Sequence, residues 1–473
     1  MSEVVFPRTP DGRRSSAALG RSVVADALRV VDPAAADAAE HEPDWRRGYL
    51  RHFRALVESS LGSDDAGYEM ATAGLASVHA RMRITRHGAD AGLDEVFADP
   101  PVRPLETVTL TGSGAAEREL SLPYRGDLLR DGTLQRRLDA WVAAGTIEAS
   151  CADAVREVAA NPDWLDLSDQ RLVVLGAGAE MGPLPAVLGW GGTVVGIDLP
   201  RPDLWARVNA VAASTAGRLI APRGGADLLT DLPAIADWLL RIEGRLVLGD
   251  YVYAPGADQA RLSAAVDALT THVRRHRADT ALAFLATPTD VFAVPGAAVA
   301  HANARYRARG VRSKLASAAS AGRLLRPHYP DGADPGIADS LVAQQGPNYA
   351  LAKRIQRWRA TLTRRDGTVS FAVAPPTRTR SVLSNRLLAA AYAGAHLFDV
   401  EVFEPATANK LMAVLLVHQL RKPRPAAHRQ PGPAAWEDET MAAAHGGLWR
   451  TPYQPRTALG LAALRGLPAA LRR

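Results

Sequence analysis

Cysteine is almost missing from this chain: Cys151 is the single one in 473 residues. A lone cysteine excludes a disulfide framework and points to a reducing compartment. No motif surrounds it, so it reads as a small filler at a helix start after Glu148-Ala149-Ser150 rather than as a nucleophile. Lysine is nearly absent too, at positions 314, 353, 410 and 422 only, so the net charge of +6 rests on arginine. Those arginines are scattered among acids, which argues against a nucleic-acid partner. The densest cluster, Arg354, Arg357 and Arg359 with Arg364-Arg365, reads as a solvated helix face. No apolar run reaches the length of a membrane span. The segment Met1–Arg8 lacks the order of a signal peptide. The expectation is a soluble, cytoplasmic protein without stable membrane association. There is no P-loop, no serine nucleophile elbow, no internal repeat and no metal-ligand set. His272 and His276 share a helical spacing but have no third ligand.

What is present is ordinary globular composition, 47% apolar and 22% charged. A chain of this length holds two or three domains and can bury a large core without staples. Residues 1–165 read as a mainly helical domain, with helices over 45–61, 68–83, 128–144 and 152–160 and short β-prone runs between 102 and 122. Pro162-Asp163-Trp164-Leu165 reads as a hinge. From Arg171 short apolar runs alternate with amphipathic stretches. The runs are Leu172–Leu175, Thr193–Ile197, Arg218–Ala221, Arg245–Leu248, Thr280–Ala286, Thr368–Ala374 and Val400–Phe403. This alternation predicts an α/β fold, a doubly wound parallel sheet of Rossmann type over 166–422. An insertion over 288–347 is too long for a simple connection and is placed to shape a pocket or lid. Prolines 423, 425, 431 and 433 read as a linker. Leu459–Arg473 reads as an apolar tail that docks on the body, on a partner or on a membrane surface.

Two motifs carry chemistry. The first is Val174-Leu175-Gly176-Ala177-Gly178-Ala179-Glu180-Met181-Gly182, a glycine turn after an apolar run. Gly176, Gly178 and Gly182 permit a tight turn and close approach of backbone to a pyrophosphate, with free N–H groups of the next helix facing it. Asp198 ends the next run and is placed to accept hydrogen bonds from ribose hydroxyls. Its charge favours NAD over NADP, although Arg201 keeps NADP open. S-adenosylmethionine also suits a glycine turn followed by a carboxylate.

The second motif is Tyr349-Ala350-Leu351-Ala352-Lys353. Ten tyrosines and four lysines would produce this spacing by chance roughly 0.1 times. One helical turn apart, the two side chains share a face. An ammonium beside a phenol stabilises phenolate, so Tyr349 is expected to serve as acid or base nearer neutrality.

The order of these elements over about 171–420 resembles the short-chain dehydrogenase/reductase family. The glycine turn looks like that family's, with Glu180 in place of a glycine. Asp227, in Ala226-Asp227-Leu228-Leu229, stands where the family often sets an Asp against the adenine. Val369–Thr379 resembles its sixth strand and following turn, with Pro376 in place of glycine. The resemblance implies Tyr349 as general acid, Lys353 as its partner on the nicotinamide ribose, and Thr287 or Thr289 as the hydroxyl that orients a carbonyl. Ser340 ranks behind them. The family's Asn-Asn-Ala-Gly is here Leu248-Gly249-Asp250-Tyr251, and Ala260–His276 lacks the asparagine of its proton relay.

The expected function is therefore NAD(P)-dependent interconversion of a carbonyl and an alcohol on a small molecule, with NAD favoured. The alternatives are an S-adenosylmethionine-dependent methyltransferase and a nucleotide-binding protein without chemistry. A homo-oligomer is compatible with the sequence.

Overall fold

The computed structural model describes residues 3–63, 65–86, 88–98, 103–422 and 435–470. The proline stretch at 423–433 lies outside the described residues.

A seven-stranded sheet organises the chain. Its strands are β1 (Thr107–Thr111), β2 (Gln170–Leu175), β3 (Thr193–Ile197), β4 (Arg218–Pro222), β5 (Arg245–Asp250), β6 (Ala281–Ala286) and β7 (Val369–Val373). The spatial order is β7-β6-β5-β2-β3-β4-β1. All neighbours are parallel except β1, which runs antiparallel along β4. The chain thus steps outward from β2 to β4, then returns to lay β5 against the other side of β2. That reversal leaves a crevice at the carboxyl ends of β2 and β5, where open α/β sheets receive ligands.

Strand alternation explains the layering. In β2, Val173 and Leu175 enter one core while Leu172 and Val174 enter the other. In β5, Leu246 and Leu248 join the first core and Val247 the second. A strand buried on both faces must be apolar throughout, which is why these runs lack the polar alternation of a surface strand. Helices Leu232–Leu240, Asp258–His276 and Pro347–Thr363 cover the first face. Helices Leu184–Gly189, Pro202–Ser214 and Pro405–Arg421 cover the second.

The N-terminal third is joined to this frame. Helices Ser16–Arg29, Trp45–Ser59 and Ala66–Arg81 share the first core with helix Pro347–Thr363. A Cβ on Gly74 would stand 2.5 Å from the Trp358 ring, so glycine here sets how closely those two helices approach. Strand β1 supplies the sheet edge.

Two expectations need correction. Val400–Phe403 forms no strand; only Phe403 bridges to Thr377. The arginines of helix Pro347–Thr363 do not form a solvated face. Arg354 is 5% exposed and Arg357 2%, because the helix is enclosed by the N-terminal helices, the insertion and the segment near Glu439.

Candidate functional site

One cavity of about 1020 Å³ opens at the crevice between β2 and β5. Gly176, Gly178, Asp198, Asp227, Thr287, Thr289, Tyr349 and Lys353 all line it. Gly182 does not. It is buried, and its carbonyl accepts a hydrogen bond from Asn409 Nδ2, so its role is to seat the turn on helix Pro405–Arg421.

The turn begins at Gly176, whose φ of +88° only glycine adopts freely. Its N–H and that of Ala177 both bond to the Ile197 carbonyl, at 2.9 and 3.1 Å. Gly178 N–H donates to Asp198 Oδ2 at 2.8 Å, and Leu199 N–H donates to Asp198 Oδ1 at 2.8 Å. Asp198 therefore holds the turn as well as facing the cavity. Burial pushes its carboxyl up, against those two N–H groups. Ala179 and Gly182 complete the turn with N–H bonds to Gly176 and Ala179. Among the described residues, the N–H groups of Glu180 and Met181 have no partner, and both residues line the cavity. Two adjacent free donors of this kind suit an anionic oxygen.

The helix dipole expected behind the turn is small. The next helix, Leu184–Gly189, has six residues and starts beyond Pro183. Glu180 instead bonds to Arg380, with Nε at 2.9 Å from Oε1 and the Arg380 N–H at 2.8 Å from Oε2. The pair bridges the glycine turn to the segment after β7. Asp227 turns back on its own loop, accepting from Leu229 N–H at 2.8 Å.

Helix Pro347–Thr363 delivers the catalytic candidates. Gly346 takes φ +80° and Pro347 starts the helix, so Tyr349 sits in its first turn. Lys353 donates to the Leu285 carbonyl at 3.1 Å and to Gln356 Oε1 at 2.9 Å. An ammonium has three donors, and the third has no partner among the described residues. Burial lowers the Lys353 pKa, with Asp250 and Asp290 acting in the opposite direction. Burial also raises the Tyr349 phenol, opposed by its hydrogen bond with Thr287. The expected lowering of the phenol by Lys353 is thus not met, because loss of water outweighs any nearby charge.

Thr287 and Thr289 are 2.8 Å apart through their hydroxyls, and Gln345 Nε2 donates to Thr289 Oγ1 at 2.8 Å. Ser340, 1% exposed, lines the same cavity, and its hydroxyl has no partner. Its N–H bonds to the Asp290 carbonyl at 3.1 Å, which ties the two ends of the insertion together. Its place in the insertion ranked Ser340 second from sequence; the structure brings it to the same cavity as Thr287 and Thr289.

Asp250 was missed as a site residue. It ends β5, is 2% exposed and lines the cavity. Burial raises its carboxyl to about 6, with the Lys353 ammonium opposing. Its position at a strand end beside the crevice was the available signal. Cys151, by contrast, is fully buried with its thiol pushed up by burial, as a filler would be. His445 is buried near the cavity. Its Nε2 lies 2.9 Å from Glu148 Oε1, and its Nδ1 accepts from Gly447 N–H at 3.1 Å. That arrangement fixes one tautomer and braces the loop that sets Leu448 in the cavity wall.

The chain matches no known protein-family model and no curated protein.

Proposed function

We propose that this chain is an NAD(P)-dependent oxidoreductase of Rossmann type that interconverts a carbonyl and an alcohol on a small molecule in the cytoplasm. The observation that carries the reading is the meeting of Tyr349, Lys353 and Thr287 with Gly176, Gly178 and Asp198 in one cavity. These groups come from positions up to 177 residues apart. They converge at the strand-order reversal, where dinucleotides are received in open α/β sheets.

The residues fit a dinucleotide. Asp198 is placed to take ribose hydroxyls, which favours NAD. The free N–H groups of Glu180 and Met181 and the Arg380 side chain are placed for phosphate oxygens. The spare donor of Lys353 is placed for a second ribose. A bound nicotinamide supplies or accepts hydride. Tyr349 gives the proton to the carbonyl oxygen in reduction and takes it back in oxidation. Thr287 or Ser340 donates to that oxygen and orients it.

A second reading has its own support. Five carboxylates line the cavity (Glu180, Asp198, Asp227, Asp250, Asp258) against three cations (Arg201, Lys353, Arg380). An acidic lining suits a cationic cofactor such as S-adenosylmethionine.

Calorimetric titration of the purified protein with NADH, NADPH and S-adenosylmethionine separates these. Binding of NADH is expected, tighter than NADPH. Binding of S-adenosylmethionine alone would move the assignment to methyl transfer. Silence with all three would leave a protein without this chemistry.

A further inference from the structure

Exposed apolar side chains are unevenly spread over this molecule. Among the described residues twelve large ones are exposed, and seven of them fall on three short segments. They are Val311 and Leu315 on helix Val311–Ala319, Leu383, Leu387 and Leu397 between 380 and 398, and Leu464 and Leu467 on helix Pro455–Ala470. Val311 is 70% exposed, Leu315 63% and Leu464 61%.

The three segments are neighbours. Helices Arg386–Gly394 and Pro455–Ala470 touch backbone to backbone. A Cβ on Gly394 would lie 2.1 Å from the Ala462 carbonyl, and one on Gly466 would lie 1.9 Å from that of Ala390. The pair has its own small core of Ala390, Ala391 and Ala463, separate from the two main cores. Ala316 of helix Val311–Ala319 packs on the cluster of Leu325, Tyr453 and Ala458, which also takes Phe398 and Leu461.

Their charge is of one sign. No acidic residue occurs over 311–326, 377–398 or 455–470. Arg312, Lys314, Arg323, Arg386 and Arg465 are exposed and have no ion-pair partner among the described residues. Leucines beside unpaired cations on short helices are the pattern of an interfacial element. The apolar groups enter the acyl boundary while the cations meet anionic headgroups.

Two of these segments, 380–398 and 455–470, also line the cavity, together with Val400, Val402, Leu448, Thr451 and Tyr453; helix Val311–Ala319 does not. None of the fifteen lining residues from Asn385 to Ala462 carries a charge, whereas all eight charged ones lie at or before Arg380.

We infer that these three segments form a docking face for an anionic phospholipid bilayer, and that the uncharged cavity lining from Asn385 onward, which two of them help to build, admits a lipophilic ligand from it. The docking is peripheral and reversible, and no helix is long and apolar enough to cross a membrane among the described residues. Charge complementarity selects the occupant. A second copy of this chain would bring the same unpaired cations against themselves. The docking face is independent of the redox reading; only the conversion of the lipophilic ligand rests on it.

The test is vesicle flotation of the full chain. Vesicles of phosphatidylcholine alone are compared with vesicles containing about 30% phosphatidylglycerol, where each cation near the surface contributes roughly fivefold in partitioning. Binding to the anionic vesicles is expected, falling at least tenfold in about 0.5 M salt. Arg386→Glu with Arg465→Glu, and separately Leu464→Asp, should each lower it about tenfold or more with an unchanged melting temperature. Because these side chains are exposed, folding should survive; if one variant misfolds, the other and the salt series decide. No flotation on anionic vesicles overturns the inference, as does equal flotation of the variants. A dimer in sedimentation that Leu464→Asp dissolves would also overturn it, by assigning the face to self-contact. Flotation without any NADH binding would leave the docking face standing and remove the redox reading.

Discussion

The Lys353 ammonium stands 5.9 Å from the centroid of the Tyr349 ring, yet its hydrogen bonds run to Leu285 and Gln356. The pair shares a cavity without the amine touching the phenol, and burial keeps the phenol protonated. On the proposed reading Tyr349 enters the reaction protonated, as the acid for the carbonyl oxygen. Tyr349→Phe should lower turnover by about 10²–10⁴-fold, the usual contribution of a general acid. NADH affinity, measured by fluorescence titration, should stay within about twofold. Undiminished turnover in this variant removes Tyr349 from the chemistry.

How far the sequence reached depends on the range of the interaction. The glycine turn and the Tyr-x-x-x-Lys spacing are local patterns, and Gly176, Gly178, Tyr349 and Lys353 all reach one cavity, although Gly182 does not and the amine stands off the phenol. The strand runs from Leu172 to Ala374 were legible because strands buried on both faces must be apolar. What failed was non-local. Arg357 reads as a surface charge until Asp290 and Glu439, 67 and 82 positions away, are seen to enclose it. Val400–Phe403 has strand composition but pairs as a strand only at Phe403, with Thr377. Thr107–Thr111 could not be placed on the sheet, because its partner β4 lies more than a hundred residues on. The leucines of Pro455–Ala470 read as a docked apolar tail; that Leu464 and Leu467 face outward is set by where Ala462, Ala463 and Gly466 pack.

Glu180 decides between the two cofactor readings. It is a carboxylate within a turn proposed to hold phosphate, neutralised by Arg380, whose side chain is 63% exposed. Glu180→Gln removes the like charge and frees Arg380. Calorimetry should show NADH binding tightened by about three- to tenfold, an effect that shrinks in about 0.5 M salt. Weaker S-adenosylmethionine binding in the same variant, with no gain for NADH, would favour the second reading.

Arg357 fastens three parts of the chain. Its guanidinium donates to Asp290 Oδ2 at 2.8 Å, to the Val291 carbonyl at 2.9 Å, and to both oxygens of Glu439 at 3.0 and 2.5 Å. Replacing it alone strips two buried carboxylates of their direct partner, with Arg354 at 4.0 Å from Asp290 Oδ1 as the remaining nearby cation. Arg357→Leu should cost about 3–5 kcal/mol in denaturant unfolding. Arg223→Ala, which breaks an exposed pair with Glu106, should cost under about 1 kcal/mol. Equal small losses in the two variants would mean that the insertion and the Glu439 segment are held by other contacts.

Asp250 gives the fold a pH dependence with a definite sign. Its carboxyl rises from an ordinary value near 3.8 to about 6 because burial disfavours its charge, more than Lys353 favours it. A carboxyl that holds its proton more tightly when folded contributes stability below its unfolded pKa. That contribution is lost as pH climbs through the folded value. The window is therefore from about pH 4 to about pH 6. A shift of this size corresponds to about 3 kcal/mol across that window. Asp250→Asn cannot titrate, so its stability relative to the native chain should rise by that order between pH 4 and pH 7, whatever its constant offset. The difference between two denaturant midpoints followed across pH isolates the slope, since every other titrating group is shared. A flat difference would place the ionised Asp250 in a fully compensated pair with Lys353. Removing that cation in Lys353→Met would then leave the burial penalty unopposed, and the pH dependence would appear in that background.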